Sequence, residues 1–199
     1  MAGRPRKFNL EAAYNAATDL FWVQGYETTS LDQLLLMMQL SKSSFYQTFS
    51  SKKNLFEQCL SRYDEQSVVD MKKALAGAPS AIDFIRTTFS QLSAEAQRPS
   101  GRRGCLIMNT VVEFAQRDIK VARIFKRNIK STKKIFTEAV TSAQTSGEIS
   151  ETLDPAIVAD FLVTTIIGLK SQARAGSSSK KIADIADLVV ASIINTTES

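Results

Sequence analysis

The amino-acid sequence predicts an all-α protein. Three observations carry that prediction: apolar residues recur at three- and four-residue spacing along most of the chain, Ser residues stand just before several of these stripes, and only 8 Gly and 4 Pro are spread over 199 residues. So little Gly and Pro leaves no room for a loop-rich β architecture. A hydrophobic fraction of 44% with 23% charged residues is that of a globular chain. The length lies between one and two ordinary domains, since a domain takes roughly 100–200 residues.

Leu10, Ala13, Tyr14, Ala17, Leu20 and Phe21 mark one face of a first helix, which Gly25 ends. Ser30 caps a second helix, with Gln33 at capping-box spacing and Leu31, Leu34, Leu35 and Met38 as its buried stripe. Ser41 caps a third, about Lys42–Thr48. Phe45 and Phe49 lie four residues apart and turn inward, leaving Lys42, Ser43, Tyr46 and Gln47 to face outward or sideways. Two short helices joined this tightly form a helix-turn-helix, whose second helix is shaped to enter a major groove of DNA. Ser50 and Ser51 start a fourth, long helix carrying Leu55, Phe56, Cys59, Leu60 and Tyr63 as far as the break at 77–79.

Ile82, Ile85, Phe89 and Leu92 mark a fifth helix, and Cys105 to Met108 with Val111, Val112 and Phe114 a sixth. The seventh, about Ile119–Ser146, sets Val121, Ile124, Phe125, Ile129 and Phe136 on one side and Lys120, Arg123, Arg127, Lys130 and Lys134 on another. Residues 155–169 are apolar on nearly every side, and Ile182, Ile185, Ala186, Val189 and Ile193 form the stripe of a last helix. This much apolar surface near the C-terminus suggests an association surface, with burial in the chain's own core as the alternative.

The net charge of +5 is unevenly spread. Residues 1–53 carry six basic and four acidic side chains, residues 117–134 eight and one, so the remainder is acidic. Arg4, Arg6 and Lys7 form an unopposed basic arm whose Pro5 discourages helix, suited to tracking a DNA groove or simply solvated. The second basic segment is either a contact for nucleic acid or an acidic partner, or a solvated helix face.

The chain has no His, which removes Ser-His-Asp and Cys-His nucleophile systems and His-based metal sites. No metal or cofactor is expected. Two cysteines, Cys59 and Cys105, are too few for a disulfide framework. The apolar run Phe161–Leu169 is broken by Thr164, Thr165 and Gly168 and falls short of the roughly 20 residues that span a bilayer, so no membrane span is expected. The N-terminus lacks a signal peptide's apolar core, and a cytoplasmic location follows as the expectation.

Thr28-Thr29-Ser30 followed by Leu34, then Leu40-Ser41-Lys42-Ser43-Ser44-Phe45-Tyr46-Gln47-Thr48-Phe49 and Ser51-Lys52-Lys53-Asn54-Leu55-Phe56, resembles the TetR family of bacterial transcriptional regulators. The resemblance covers about the first quarter of the chain. It departs from the family pattern at Gln39, where Gly is usual, and at Leu35, where a small residue is usual; a left-handed Gln39 is strained.

The resemblance implies about nine helices: residues 1–50 as a helix-turn-helix domain with its basic arm, and residues 51–199 as a ligand-binding and dimerisation domain. By position it implies that Ser41 caps the recognition helix and that Lys42, Ser43 and Gln47 reach base edges. Thr29, Tyr46 and Lys52 would hold phosphates. It places a homodimer interface on the last two helices, at Phe161, Leu162, Ile166, Leu169, Ile182, Ile185 and Val189. A double-stranded operator, palindromic or nearly so, and a small-molecule inducer are the implied partners. An inducer that favours the non-binding state by about 1–3 kcal/mol would weaken DNA binding roughly 5–150-fold.

Cys105, in Arg102-Arg103-Gly104-Cys105-Leu106, is a candidate sensor of electrophiles or oxidants, because neighbouring cations favour the thiolate; the alternative is a small packed residue. A helical enzyme using Glu113, Glu138 or Asp160, and a regulator answering to a protein partner, are the rival functions. No paired carboxylates or phosphate loop support the enzyme.

Overall fold

The computed structural model describes residues 9–98, 103–114 and 118–194. Arg4, Arg6 and Lys7 of the basic arm, Arg102, and the Glu113 side chain lie outside the described residues. Nine helices are present among the described residues: α1 Leu10–Gln24, α2 Leu31–Met38, α3 Lys42–Phe49, α4 Lys52–Gly77, α5 Ala81–Ala96, α6 Leu106–Phe114, α7 Ile119–Thr145, α8 Pro155–Arg174 and α9 Ser179–Ala191. A lone antiparallel bridge joins Ile149 to Ile194.

Short polar side chains start the helices by accepting the backbone N–H groups that a first turn leaves without partners. Ser30 Oγ accepts from Gln33 N at 3.2 Å while Gln33 Oε1 accepts from Ser30 N at 2.8 Å, a complete capping box. Ser51 accepts from Asn54 N at 3.0 Å and Ser80 from Asp83 N at 3.2 Å. Asp118 accepts from the amides of Lys120 and Val121, and so fixes where α7 begins.

Two apolar cores form. One joins α1, α2, α3, the first turns of α4 and the start of α7, through Phe21, Phe45, Phe49, Leu55, Phe56 and Val121. The other joins α5, the second half of α7, α8 and α9, through Ile85, Phe89, Phe136, Leu162 and Ile182. Apolar burial therefore does not divide at residue 50. Leu55, Phe56, Cys59 and Leu60 of α4, Leu106 of α6 and Ile124 of α7 complete the first core, because three short helices alone offer too little apolar surface to close one. Farther along α4, Val68, Met71 and Leu75 lie against the second core.

Ion pairs join α4 to the start of α7 at successive levels. Lys53 Nζ lies 2.8 Å from Asp118, Lys120 Nζ 2.7 Å from Glu57, and Arg127 Nε 2.6 Å from Asp64. Asp64 is buried, and its other oxygen accepts from Asn128 Nδ2 at 2.8 Å. Much of the second basic segment is thus a partnered face: Lys133 reaches Asp160 at 2.5 Å and Lys134 reaches Glu138 at 3.8 Å.

The last two helices correct the sequence reading in two ways. Helix α8 runs 20 residues and is long and apolar enough to cross a membrane, whereas the sequence expectation counted only the broken run to Leu169. Its Val158, Ala159, Leu162, Val163, Leu169 and Ala173 are buried in the second core, which covers one side of the helix. Of the seven residues assigned to a subunit interface, Leu162, Leu169, Ile182 and Val189 are buried inside their own protomer, and Ile166 and Ile185 are partly buried against the same core. Only Phe161 is exposed, at 42%. The face left open holds Ile157, 64% exposed, and Leu188, 69% exposed, which the sequence reading did not single out. Periodicity defines a stripe without saying which neighbour covers it.

Two stability tests follow. Replacing Arg127 with Met leaves Asp64 buried with Asn128 as its remaining partner, and urea unfolding should show a loss of about 3 kcal/mol, the low end for a broken buried pair because Arg127 is half in water. The double variant Asp64→Leu/Arg127→Met should recover most of that loss. Burial pushes the Cys59 thiol up to about 11 from 9.0. The folded state therefore keeps its proton where the unfolded chain loses it, so stability should fall as pH rises from about 9 toward 11, and less steeply in Cys59→Ala.

Candidate nucleic-acid interface

Helix α3 owes its exposed face to the way it is seated. Phe45 and Phe49 are buried, their ring centroids 5.5 Å apart, and Phe49 meets the Tyr14 ring of α1 edge-on at 5.5 Å. Two inward aromatics on an eight-residue helix fix its rotation, and Lys42, Ser43, Tyr46 and Gln47 are left exposed. Tyr46 is 47% exposed with its ring edge-on to Phe45 at 5.5 Å, so its hydroxyl end stands clear of the core. Ser41 caps the helix as expected: its Oγ accepts from Ser44 N at 3.2 Å and lies 3.0 Å from Ser43 Oγ. Helix, cap and exposed polar groups thus present the first-turn amides of Lys42 and Ser43 and four polar side chains on one side, a donor set of the kind that grips phosphate and reads base edges.

The turn between α2 and α3 runs through Gln39, which adopts φ 55 and ψ 42. This is the left-handed conformation in which a Cβ clashes with the following carbonyl, and Gln39 holds it because its N–H and that of Leu40 close the helix end on Leu36 O and Leu35 O at 3.2 and 3.0 Å.

One assigned phosphate contact is placed differently. Thr29 is buried at 1% exposure, and its hydroxyl donates to Gly25 O at 2.6 Å. Its side chain organises the approach to α2 instead of facing outward, because the chain must turn sharply after Gly25, φ 84, and leaves the Gly25 carbonyl needing a donor. Lys52, at the first turn of α4, sets its ammonium 4.2 Å from the centre of the Tyr26 ring.

Away from α3, helices α4, α6, α7 and α8 enclose a cavity of about 590 Å³, including its open mouth. Met71, Met108, Ile129, Val163, Ile166 and Ile167 supply an apolar lining, with Tyr63, Ser67, Asn128, Thr132 and Lys170 as polar points. Such a mixture suits a small organic ligand. Asn128 lines this cavity and also donates to Asp64, so one side chain touches both the cavity and the α4–α7 ion pair.

Cys105 lines the same cavity and stands immediately before α6, its carbonyl accepting from Asn109 N at 2.9 Å. Burial, and then the neighbouring Cys105, push the Tyr63 hydroxyl well above the usual phenol range. Of the two arginines expected to activate Cys105, Arg103 is engaged elsewhere: it pairs with Asp19 at 2.7 Å and lies over the Trp22 ring. Adjacency in sequence did not determine which carboxylate an arginine's long side chain would reach. The enzyme candidates are also committed, Glu138 to Lys134 and Asp160 to Lys133, on exposed surface.

Comparison with known proteins converges on one family. Residues 13–59 match the family model for bacterial regulatory proteins of the tetR family, and residues 81–189 match the tetracyclin repressor-like C-terminal domain. The chain is 26% identical to an uncharacterized HTH-type transcriptional regulator, YezE of Bacillus subtilis, over 94% of this chain and 96% of that protein. It is also 26% identical to the HTH-type transcriptional repressor ComR of Escherichia coli, over 92% and 88%. Among solved structures, a cysteine-substituted form of the TetR-family regulator CifR in complex with 26-base-pair operator DNA aligns with a TM-score of 0.82 and 26% identity, covering 94% of this chain and 98% of that one. The reduced form of NemR from Escherichia coli has the same fold, with a TM-score of 0.84 at 19% identity over 95% and 98%.

The strained turn supplies a test. Gln39→Gly removes a left-handed cost of about 1–2 kcal/mol and adds about 0.5–1 kcal/mol of unfolded-chain entropy. A net gain of about 0.5–1 kcal/mol should raise the melting temperature by about 1–4 °C.

Proposed function

This chain belongs to the TetR family and is a helix-turn-helix transcriptional regulator; from that premise we propose that it is a repressor, which binds a palindromic operator as a homodimer and releases it when a small molecule occupies the cavity. The observation that carries the DNA side of this reading is α3: a helix locked in rotation by Phe45 and Phe49, with Lys42, Ser43, Tyr46 and Gln47 exposed together on its outer side. Lys42, Ser43 and Gln47 read base edges, and Tyr46 holds a phosphate. The arm bearing Arg4, Arg6 and Lys7 adds charge along the adjoining groove. The site of action is the cytoplasm.

Support for the dimer comes from Ile157, Phe161 and Leu188, large apolar side chains left exposed on the last two helices. A two-fold axis there places two copies of α3 about 34–36 Å apart, the spacing of successive major grooves on one face of B-DNA. Ligand in the cavity alters that spacing through α4, which lines the cavity at Tyr63, Ser67 and Met71 and closes the first core at Leu55 and Phe56.

A second reading makes Cys105 itself the sensor. It is favoured by the position of the thiol on the cavity wall beside Tyr63, and by the fact that the structural relatives include a cysteine-substituted CifR and a reduced NemR. Induction that persists in Cys105→Ser assigns the signal to reversible ligand binding; induction abolished by that change, with operator affinity intact, assigns it to the thiol.

The primary reading is tested with a duplex carrying the inverted repeat nearest this gene, in fluorescence anisotropy at several salt concentrations. Lys42→Ala and Gln47→Ala should each lower affinity by roughly 1–3 kcal/mol, about 5–150-fold, and Lys42→Ala should reduce the salt slope by about one if its ammonium also neutralises phosphate. A folded Lys42→Ala/Tyr46→Ala dimer that holds the repeat as tightly as the unaltered protein overturns it.

A further inference from the structure

A second space adjoins the apolar cavity. It measures about 710 Å³ with its open mouth, is lined by Trp22, Tyr63, Glu95, Arg98, Arg103, Gly104 and Lys170, and shares Tyr63 and Lys170 with the first. Where the first lining is mainly aliphatic, this one brings three cations against the single carboxylate of Glu95.

These cations are only partly neutralised. Glu95 stands 4.0 Å from Lys170, too far for a hydrogen bond, and Asp19 holds one end of Arg103. Arg98 has no ion-pair partner among the described residues. The Trp22 indole Nε1 is a buried donor with no acceptor among the described residues, although buried N–H groups are nearly always paired. Gly104, at φ 69, brings the chain to the start of α6 at the same place, and an added Cβ would meet Asn109 Oδ1 at 3.3 Å. Three cations and the start of α6 form a lining suited to negative charge.

We propose that the effector is an amphipathic carboxylate, its apolar body among Met71, Ile129 and Ile166 and its charged end in the adjoining space between Arg98, Arg103 and Lys170. The inference rests on the reading of the cavity as the effector site and names the chemical class it takes. Its carboxylate displaces Glu95 from Lys170 and accepts from the arginines. A neutral molecule of the same shape fills the apolar half and leaves the cations unanswered, so charge is what this site selects.

Trp22 is the chain's one tryptophan and therefore a built-in reporter. The full-length protein is titrated with hexanoate, octanoate, decanoate and benzoate, and with the alcohol corresponding to each, following Trp22 emission and, in parallel, heat by calorimetry. At least one carboxylate should bind saturably, and its alcohol about ten-fold more weakly or less. Arg98→Gln and Lys170→Met should each weaken that carboxylate about ten-fold without lowering the melting temperature, since neither side chain belongs to a core. Three results overturn the proposal: no saturable binding by any carboxylate of the series, equal binding of carboxylate and alcohol, or charge variants that bind as the unaltered protein does. Equal binding of the alcohols leaves the cavity as an effector site and removes only its charge selectivity. Loss of operator binding in the unaltered protein, measured separately, is instead a failure of the repressor reading.

Discussion

Everything in this molecule is referred to one helix that belongs to two cores. Helix α4 contributes Leu55, Phe56, Cys59 and Leu60 to the N-terminal core and Val68, Met71 and Leu75 to the edge of the C-terminal one. An uninterrupted helix of 26 residues is about 39 Å long and resists bending, so a shift at one end is carried to the other. The small helices α1 to α3 have no independent way of closing their core; where α4 goes, α3 goes.

Polar contacts set how α4 lies against α7. The buried carboxylate of Asp64 takes Arg127 on one oxygen and Asn128 on the other, and nearer the start of α7 the exposed Lys53 and Lys120 reach Asp118 and Glu57. Exposed pairs contribute little to stability, whereas the buried one is costly to break, so the α4–α7 register depends mainly on Asp64. Asn128 reaches that carboxylate from the wall of the cavity. On the proposed function, a molecule in the cavity competes for a side chain that also positions the DNA-binding end. No long relay is needed.

Legibility differed between the two ends of the chain. The helix-turn-helix was readable because its determinants are local: Ser30 with Gln33, Ser41 with Ser44, and Phe45 with Phe49 each act across three or four residues. The same local logic anticipated strain at Gln39 should it be left-handed, and it is. Thr29 was misread because its hydroxyl found a carbonyl four residues back, and a short polar side chain near a turn gives no sign of which acceptor it will take. Arg103 was misread for a related reason: its partner, Asp19, is 84 residues away.

Helix positions, their caps and the helix-turn-helix were determined by the sequence itself, since periodicity and capping depend on neighbours within one or two turns. The tertiary structure alone decided which side of α8 and α9 is covered, that the N-terminal core borrows from α4, α6 and α7, and that Trp22, Arg98, Arg103 and Lys170 line one space. These are matters of which distant surfaces meet, and that is settled by the competition of all the apolar faces for burial at once, a property of the whole chain and not of any segment.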